Sequence, residues 1–318
     1  MTHFLALDAL RVAGLAEAAA VQVFPLATGM AMTSAFLACA ALRPDPAVAR
    51  CELRPCLPCC RVVLKRSRHM RNAAHTSDAC VGLRRYVIWS RVDQKTCLKA
   101  IVAANLTPVV IELVRRGDEL CTDTAAVAAA IQGLTPQAIA CVVTTTSCFA
   151  PRGCDDVRAR SCMQCCDVNR ISDSDGVDQM HMNRTGEAAV QVKGVSKLCA
   201  THAVPHVVNN AYGVQSRWLC GQVGAACRAG RVDAIVQSTD KNFLVPVGGT
   251  VVAATREWPE VLRRMAGGYP GRASVAAHLD LAMTLLHLGR TGWRELLEWR
   301  EVLYGELKVC IPTAFMMT

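Results

Sequence analysis

The sequence predicts an α/β fold: a mainly parallel sheet covered by helices on both faces. Strand-like apolar runs recur at 86–89, 108–112, 139–144, 206–209, 234–237 and 250–253. Stretches with helical spacing lie between most of them, at 94–104, 124–133 and 216–229. Strands alternating with helices imply parallel neighbours joined by crossovers. The chain has 318 residues and is 52% hydrophobic, ample for one large domain or two modest ones.

Taken in order, 5–20 has helical spacing, 24–29 reads as a turn, and 30–42 as a helix that starts there. The uncharged stretch 21–42 is about long enough to cross a bilayer. Pro25, Thr28, Gly29, Thr33 and Ser34 interrupt it, so it reads as a buried loop and a core helix, with no membrane partner. Residues 44–84 are rich in Cys, Arg and Pro and have no sustained period. Regular alternation begins at Tyr86. A second irregular segment, about 157–192, is polar and longer than an ordinary crossover needs. After Gly271 the chain turns helical again at 273–288 and 293–307, and 309–318 has no clear pattern. The expected organisation is thus 1–43 (helix and anion-binding loop), 44–84 (basic Cys-rich insertion), 85–272 (α/β domain, interrupted at about 157–192) and 273–318 (the helical start of a further region).

The net charge of +9 is local: between Arg43 and Arg85 ten basic residues stand against three acidic ones. It is therefore weak evidence for a nucleic-acid surface. No basic stretch followed by an apolar run and a cleavage site opens the chain, so its 18 cysteines read as reduced thiols of a cytosolic protein.

Ligands of open α/β sheets sit at the carboxyl ends of the parallel strands. Two expected strands end at Asn209, in PHVVNNAYGVQS, and just before Lys241, in QSTDKNFLVPVGG. Together these runs predict a pyridoxal phosphate site. That cofactor needs a lysine amine to bond its aldehyde, a partner for its pyridine nitrogen and hydroxyl donors for its phosphate. Lys241, Asn209 and Ser238 supply these three. Taken singly, a strand-capping Asn209 and a surface Lys241 are the simpler readings. The Asn-Asn-Ala-Tyr-Gly run stands where many such enzymes carry Asp-x-Ala-His/Tyr-Gly, whose acid contacts the ring nitrogen. An asparagine does not hold a charged pyridinium, so the ring is a weaker electron sink. That suits β-elimination, where the leaving group takes the electrons. Thr28-Gly29-Met30 opens a helix whose free N–H groups would cradle a phosphate, or Gly29 merely serves a tight turn. Arg272, in YPGRAS, suits a phosphate ester, although a solvated arginine is commoner.

The runs PLATGM, VIWSRVDQKTC, TTTSCFAPR, PHVVNNAYGVQS, GRVDAIVQSTDKNFLVPVGG and YPGRAS, in this order, closely resemble the O-phosphoseryl-tRNA(Sec) selenium transferase family. The resemblance implies the large domain of the type I pyridoxal phosphate fold, here incomplete, in a homo-oligomer (the family's tetramer) with active sites shared between subunits. It implies that Lys241 bonds the cofactor, Asn209 lies beside the ring, Gln94 packs on the ring, and Ala27, Thr28 and Ser238 contact the phosphate. Arg272 matches an arginine that binds the substrate's phosphoseryl group. The implied reaction turns O-phosphoseryl-tRNA(Sec) into selenocysteinyl-tRNA(Sec) in the cytoplasm. The substrate displaces Lys241, the freed amine takes the Cα proton, phosphate leaves Cβ, and selenium is added from selenophosphate.

The departures are equally specific. No glycine- and arginine-containing loop that would grip the substrate phosphate precedes Leu5, and the family's C-terminal domain is not represented. Both irregular segments are expected to lack a counterpart in the family. Their Cys56-x-x-Cys59-Cys60 and Cys162-x-x-Cys165-Cys166 runs repeat one spacing, near Cys51, Cys80, Cys154, His69, His75 and His181, and paired CxxC elements can hold zinc. No knuckle pattern flanks them, so the segments read as insertions, disordered or translated from non-coding sequence, without metal. Asn183-Arg184-Thr185 matches a glycosylation sequon that a cytosolic protein would not use. Two rivals stand beside the main reading. One is another lyase or desulfurase of the same fold, which would need a catalytic cysteine on a mobile loop. The other is a non-catalytic remnant that binds cofactor or family subunits.

Overall fold

A computed structural model describes residues 1–43, 85–91, 94–116, 119–146 and 194–315, with side chains to 307. The paired Cys runs, their neighbouring His residues and the sequon lie outside the described residues.

Among the described residues there are nine strands, β1 (Ala20–Phe24), β2 (Tyr86–Ser90), β3 (Thr107–Ile111), β4 (Leu113–Arg116), β5 (Glu119–Thr122), β6 (Ile139–Thr145), β7 (His206–Asn209), β8 (Ala234–Ser238) and β9 (Thr250–Ala254). Seven form one sheet in the order β1-β9-β8-β7-β6-β2-β3, and β4 and β5 make a separate antiparallel hairpin. Neighbours from β3 across to β8 are parallel. At the far side β9 runs antiparallel to β8, and β1 antiparallel to β9. Every residue of β6, β8 and β9 is buried. Such runs are apolar on both faces because helices cover both.

The helices are α1 (Thr2–Val12), α2 (Thr28–Leu42), α3 (Thr96–Ala103) and α4 (Thr124–Gly133), then α5 (194–201) and α6 (Arg217–Ala229). The last three are α7 (Thr239–Asn242), α8 (Glu260–Gly268) and α9 (Ala276–Phe315). Strand alternation assigns them to layers. In β8, Ala234 and Val236 pack with residues of α2, α3 and α8, while Ile235 packs with α1, α6 and α9. Beyond them, α4 and α5 cover Ile88 of β2 and Ile139 and Val142 of β6. Local chemistry helps set the ends. The Asp123 carboxylate accepts from the Ala125 and Ala126 N–H groups at 3.0 Å and caps α4, and the Ser216 hydroxyl caps α6.

The six expected strands are present to within one residue at each end. The helix expected over 5–20 is not one element. It ends at Val12, Gly14 takes the left-handed backbone (φ 102), and β1 begins at Ala20. The Arg11 guanidinium donates to the Ala18 carbonyl at 3.0 and 3.1 Å and stitches this bend. The uncharged stretch 21–42 is split between β1 and the 15-residue α2, and among the described residues no helix is long and apolar enough to cross a membrane. The two helices expected after Gly271 form α9, broken at Gly289 (φ 60, ψ −176) between them.

Candidate active site

Strands β2, β6, β7 and β8 end at one edge of the sheet, and α2 starts there because β1, which precedes it, runs parallel to β8. Between them lies a cavity of about 190 Å³. Its wall contains Ala27, Thr28 and Gly29 from the start of α2, and Gln94, Thr96 and Cys97 at the start of α3. Thr145, Asn209, Tyr212, Ser238, Asp240 and Lys241 come from the strand ends. The topology thus gathers every expected cofactor residue, drawn from segments more than 200 positions apart.

Lys241 sits in α7, a single turn directly after β8. Its backbone is pinned from several sides. The Gln215 side chain donates to the Lys241 carbonyl. Asn242 Nδ2 donates to the carbonyls of Ala211 (2.8 Å) and Ser238 (2.6 Å), and its Oδ1 accepts from the Val214 N–H at 3.2 Å. Thr239 Oγ1 donates to the Gly249 carbonyl at 2.8 Å. The amine, 5.5 Å from the Tyr212 ring centroid, donates to Asp240 Oδ2 at 3.1 Å and Ser238 Oγ at 3.3 Å. Ser238 Oγ in turn donates to Asp240 Oδ1. Burial pushes the Asp240 carboxyl up, but the hydrogen bonds from Ser238 and Lys241 and the Lys241 charge outweigh it and hold it below the usual carboxylate range.

Across the cavity, the start of α2 has the features of an anion cradle. The first N–H groups of a helix have no intrahelical partner. Thr28 Oγ1 is buried without a hydrogen-bond partner. A Cβ on Gly29 would come within 2.8 Å of Thr96 Cγ2, so glycine is needed there for space. The Thr250 hydroxyl holds the preceding loop through the Leu26 carbonyl at 2.6 Å. These residues fit a phosphate group. The Gln94 carboxamide is engaged with Thr96, accepting from its N–H at 3.1 Å and donating to its hydroxyl at 2.5 Å, and so caps α3.

Asn209 is fixed by neighbours on both sides: its carbonyl accepts from the Thr146 N–H at 3.0 Å, and the following Asn210 N–H donates to the Val236 carbonyl at 2.9 Å. Its side-chain Oδ1 accepts from the Ala211 N–H at 3.3 Å. That leaves the amide hydrogens to meet a ring acceptor. Arg272 is placed apart. It is exposed, follows Gly271 in a turn with both residues at positive φ (74 and 61), and is not part of the cavity wall. Sequence reasoning missed Asp240, Asn242 and Tyr212, although all three lie in the two runs that pointed to the site.

At the amino ends of β7 and β8 the ionisable groups are closed on one another. The Asp233 carboxylate accepts from the His206 N–H and both ends of the Arg231 guanidinium, each at 2.8 Å. His206 Nδ1 faces the Arg231 carbonyl at 3.0 Å and therefore donates, so Nε2 accepts from Thr144 Oγ1 at 2.9 Å. Burial lowers the His206 pKa to about 4.

The chain was compared with known proteins. The family model for O-phosphoseryl-tRNA(Sec) selenium transferase, SepSecS, matches residues 79–171 and 179–311. The match runs through most of 157–192 and leaves only 172–178 out, which corrects the expectation that this segment lacks a counterpart. The O-phosphoseryl-tRNA(Sec) selenium transferase of Dictyostelium discoideum is 32% identical over 305 residues, 95% of this chain and 48% of that protein. That of Caenorhabditis elegans is 41% identical over 211 residues, 66% of this chain and 36% of that protein. The chain therefore spans about half or less of the length of these curated relatives. Among solved structures, an archaeal O-phosphoseryl-tRNA(Sec) selenium transferase superposes with a TM-score of 0.59 at 21% identity, covering 88% of this chain and 47% of that one. Oryza sativa TDC with PLP and tryptamine gives 0.55 at 16%, covering 92% and 53%. At these identities the likeness shows the fold, which is the type I pyridoxal phosphate-dependent architecture expected above.

Proposed function

We propose, since the chain belongs to the O-phosphoseryl-tRNA(Sec) selenium transferase family, that it serves the conversion of O-phosphoseryl-tRNA(Sec) to selenocysteinyl-tRNA(Sec), with selenophosphate as selenium donor. The observation that carries the reading is the lysine amine in a cavity whose other walls are Asn209 and the start of α2.

Bound pyridoxal phosphate supplies an aldehyde to bond an amine and a ring to take up electrons. In this reading Ala27, Thr28 and Gly29 hold its phosphate through helix N–H groups and the Thr28 hydroxyl. Asn209 offers its amide hydrogens to the ring nitrogen, and Gln94 lies against the ring. Ser238 reaches the phosphate only by giving up its bond to Asp240. Lys241 would hold the aldehyde and, once the substrate amine has taken its place, its Nζ would take the proton from substrate Cα. Phosphate would leave Cβ, selenophosphate would add there through its selenium, and transfer of its phosphoryl group to water would complete the exchange. Arg272, on its exposed turn, meets the phosphoseryl group of an incoming substrate. A homo-oligomer with shared sites and a cytoplasmic setting complete the proposal. The free thiols Cys39, Cys141, Cys220 and Cys227 suit a reducing compartment.

The test is the visible absorption of the purified chain with pyridoxal phosphate, beside Lys241→Ala. The proposal expects a band in the first and none in the second, followed by turnover of phosphoseryl-tRNA. A band that survives the substitution would move the bond to another lysine. No band in either would give the reading of a non-catalytic remnant its support.

A further inference from the structure

Adjacent residues on a helix ordinarily point apart. Asp240 and Lys241 nevertheless meet at 3.1 Å, because the Ser238 hydroxyl, one position before the helix, engages both. The three side chains close a ring at the strand end. The Ser238 hydrogen goes to Asp240, so its oxygen offers a lone pair to the ammonium. The titratable groups of the cavity wall are Lys241, Asp240, Tyr212 and Cys97. Of these, Asp240 is the one bonded to Nζ, and Tyr212 contributes its ring face. The Lys241 side chain is 31% exposed and that of Asp240 18%. The backbone of Lys241 is held by Gln215 and by its neighbour Asn242, but those contacts leave four side-chain torsions free.

We propose that Asp240 is a positioning residue for Lys241. With Ser238 it forms the station at which the amine rests whenever it is unbonded, and to which the amine returns when a substrate displaces it. The use of the station rests on the function proposed above; the station itself rests on the geometry of the turn. A released lysine with no anchor would spread over many rotamers, and a base acts only within hydrogen-bond reach of the proton it abstracts. Asp240 keeps the amine beside the cavity through its hydrogen bond to Nζ.

The measurement is acetic anhydride labelling of the cofactor-free chain, quantified at each lysine by mass spectrometry across neutral to mildly alkaline pH. Exposed Lys95 and Lys99 serve as internal references. In Asp240→Asn, Lys241 is expected to label about threefold to tenfold faster relative to those references. Asp240→Glu should restore most of the wild-type rate. An unchanged ratio in Asp240→Asn with an intact circular dichroism spectrum overturns the proposal, as does a failure of glutamate to rescue. If Asp240→Asn does not fold, raising NaCl from about 0.05 M to about 1 M on the wild-type chain screens the pair. Lys241 labelling should then accelerate beyond that of the references, and equal responses again overturn the proposal. Because no cofactor is present, a failed labelling result is separable from a failed absorption band.

Discussion

At the amino ends of β7 and β8 both oxygens of Asp233 are occupied, by the His206 N–H and by two arms of Arg231. At the carboxyl ends of the same strands the Lys241 amine stands partly open beside a cavity, facing a Thr28 hydroxyl with no partner. The two edges use the same ingredients, one cation, one carboxylate and a few hydroxyls, with opposite results. Closed on itself, the group of three at the amino edge contributes rigidity. The carboxyl edge leaves donors uncommitted and is therefore able to bind. The lesson is that an ion pair marks a candidate site when it borders a cavity and is left partly open, not when its oxygens are all taken up.

The comparison breaks first at Asp233. Asp233→Ala leaves Arg231 and the His206 N–H without their acceptor and should cost about 3 kcal/mol, read as a lowered midpoint in urea unfolding. The folded fraction should still bond pyridoxal phosphate at Lys241. A loss of bonding with unchanged stability would show that the edges do not divide their roles in this way.

A second experiment sharpens it by pH. His206 is held neutral when folded, with its pKa lowered from 6.5 to about 4 by burial. Between those values the unfolded chain binds the extra proton, so stability rises with pH across the window and falls as pH drops toward 4. The full contribution is about 3 kcal/mol, reached only below pH 4. It should appear as acid sensitivity of the melting temperature that His206→Gln flattens. A profile identical in the variant would assign the sensitivity elsewhere.

The smallest effect belongs to the open edge. Thr28→Val removes a buried hydroxyl that has no partner, so stability should hold or rise slightly. Affinity for pyridoxal phosphate should fall about tenfold, measured by titrating the absorption band. A stability loss of the size seen at Asp233 would erase the contrast between the edges.

The central sheet was legible because β6, β8 and β9 are apolar and buried at every position, a pattern local to each strand. β1 was not. Its residues read as a buried loop, and its partner β9 lies some 230 residues downstream. The short α8, nine residues ending in two glycines, offered too few turns to stand out, and the β4–β5 hairpin was likewise passed over. Within the candidate site, Lys241, Asn209 and the start of α2 could be expected to gather at one cavity, because strand ends and helix starts dictate where they lie. Asp240 was invisible because its contact with Lys241 defies the helical rule that neighbours diverge. Arg272 was read from the phosphate chemistry of a guanidinium and from the YPGRAS resemblance, and neither says which way its backbone points.

The pairing of β1 with β9 has a consequence for how the protein is made. The strand that aims α2 at the cavity leaves the ribosome some 230 residues before its partner. In the described structure it bonds to a strand that emerges last of all the strands. Closing so long a loop carries an entropic cost that only the finished sheet repays. The start of α2 can therefore be set in place only once translation has passed Ala254, and until then the nascent chain carries an unpaired apolar strand for chaperones to guard.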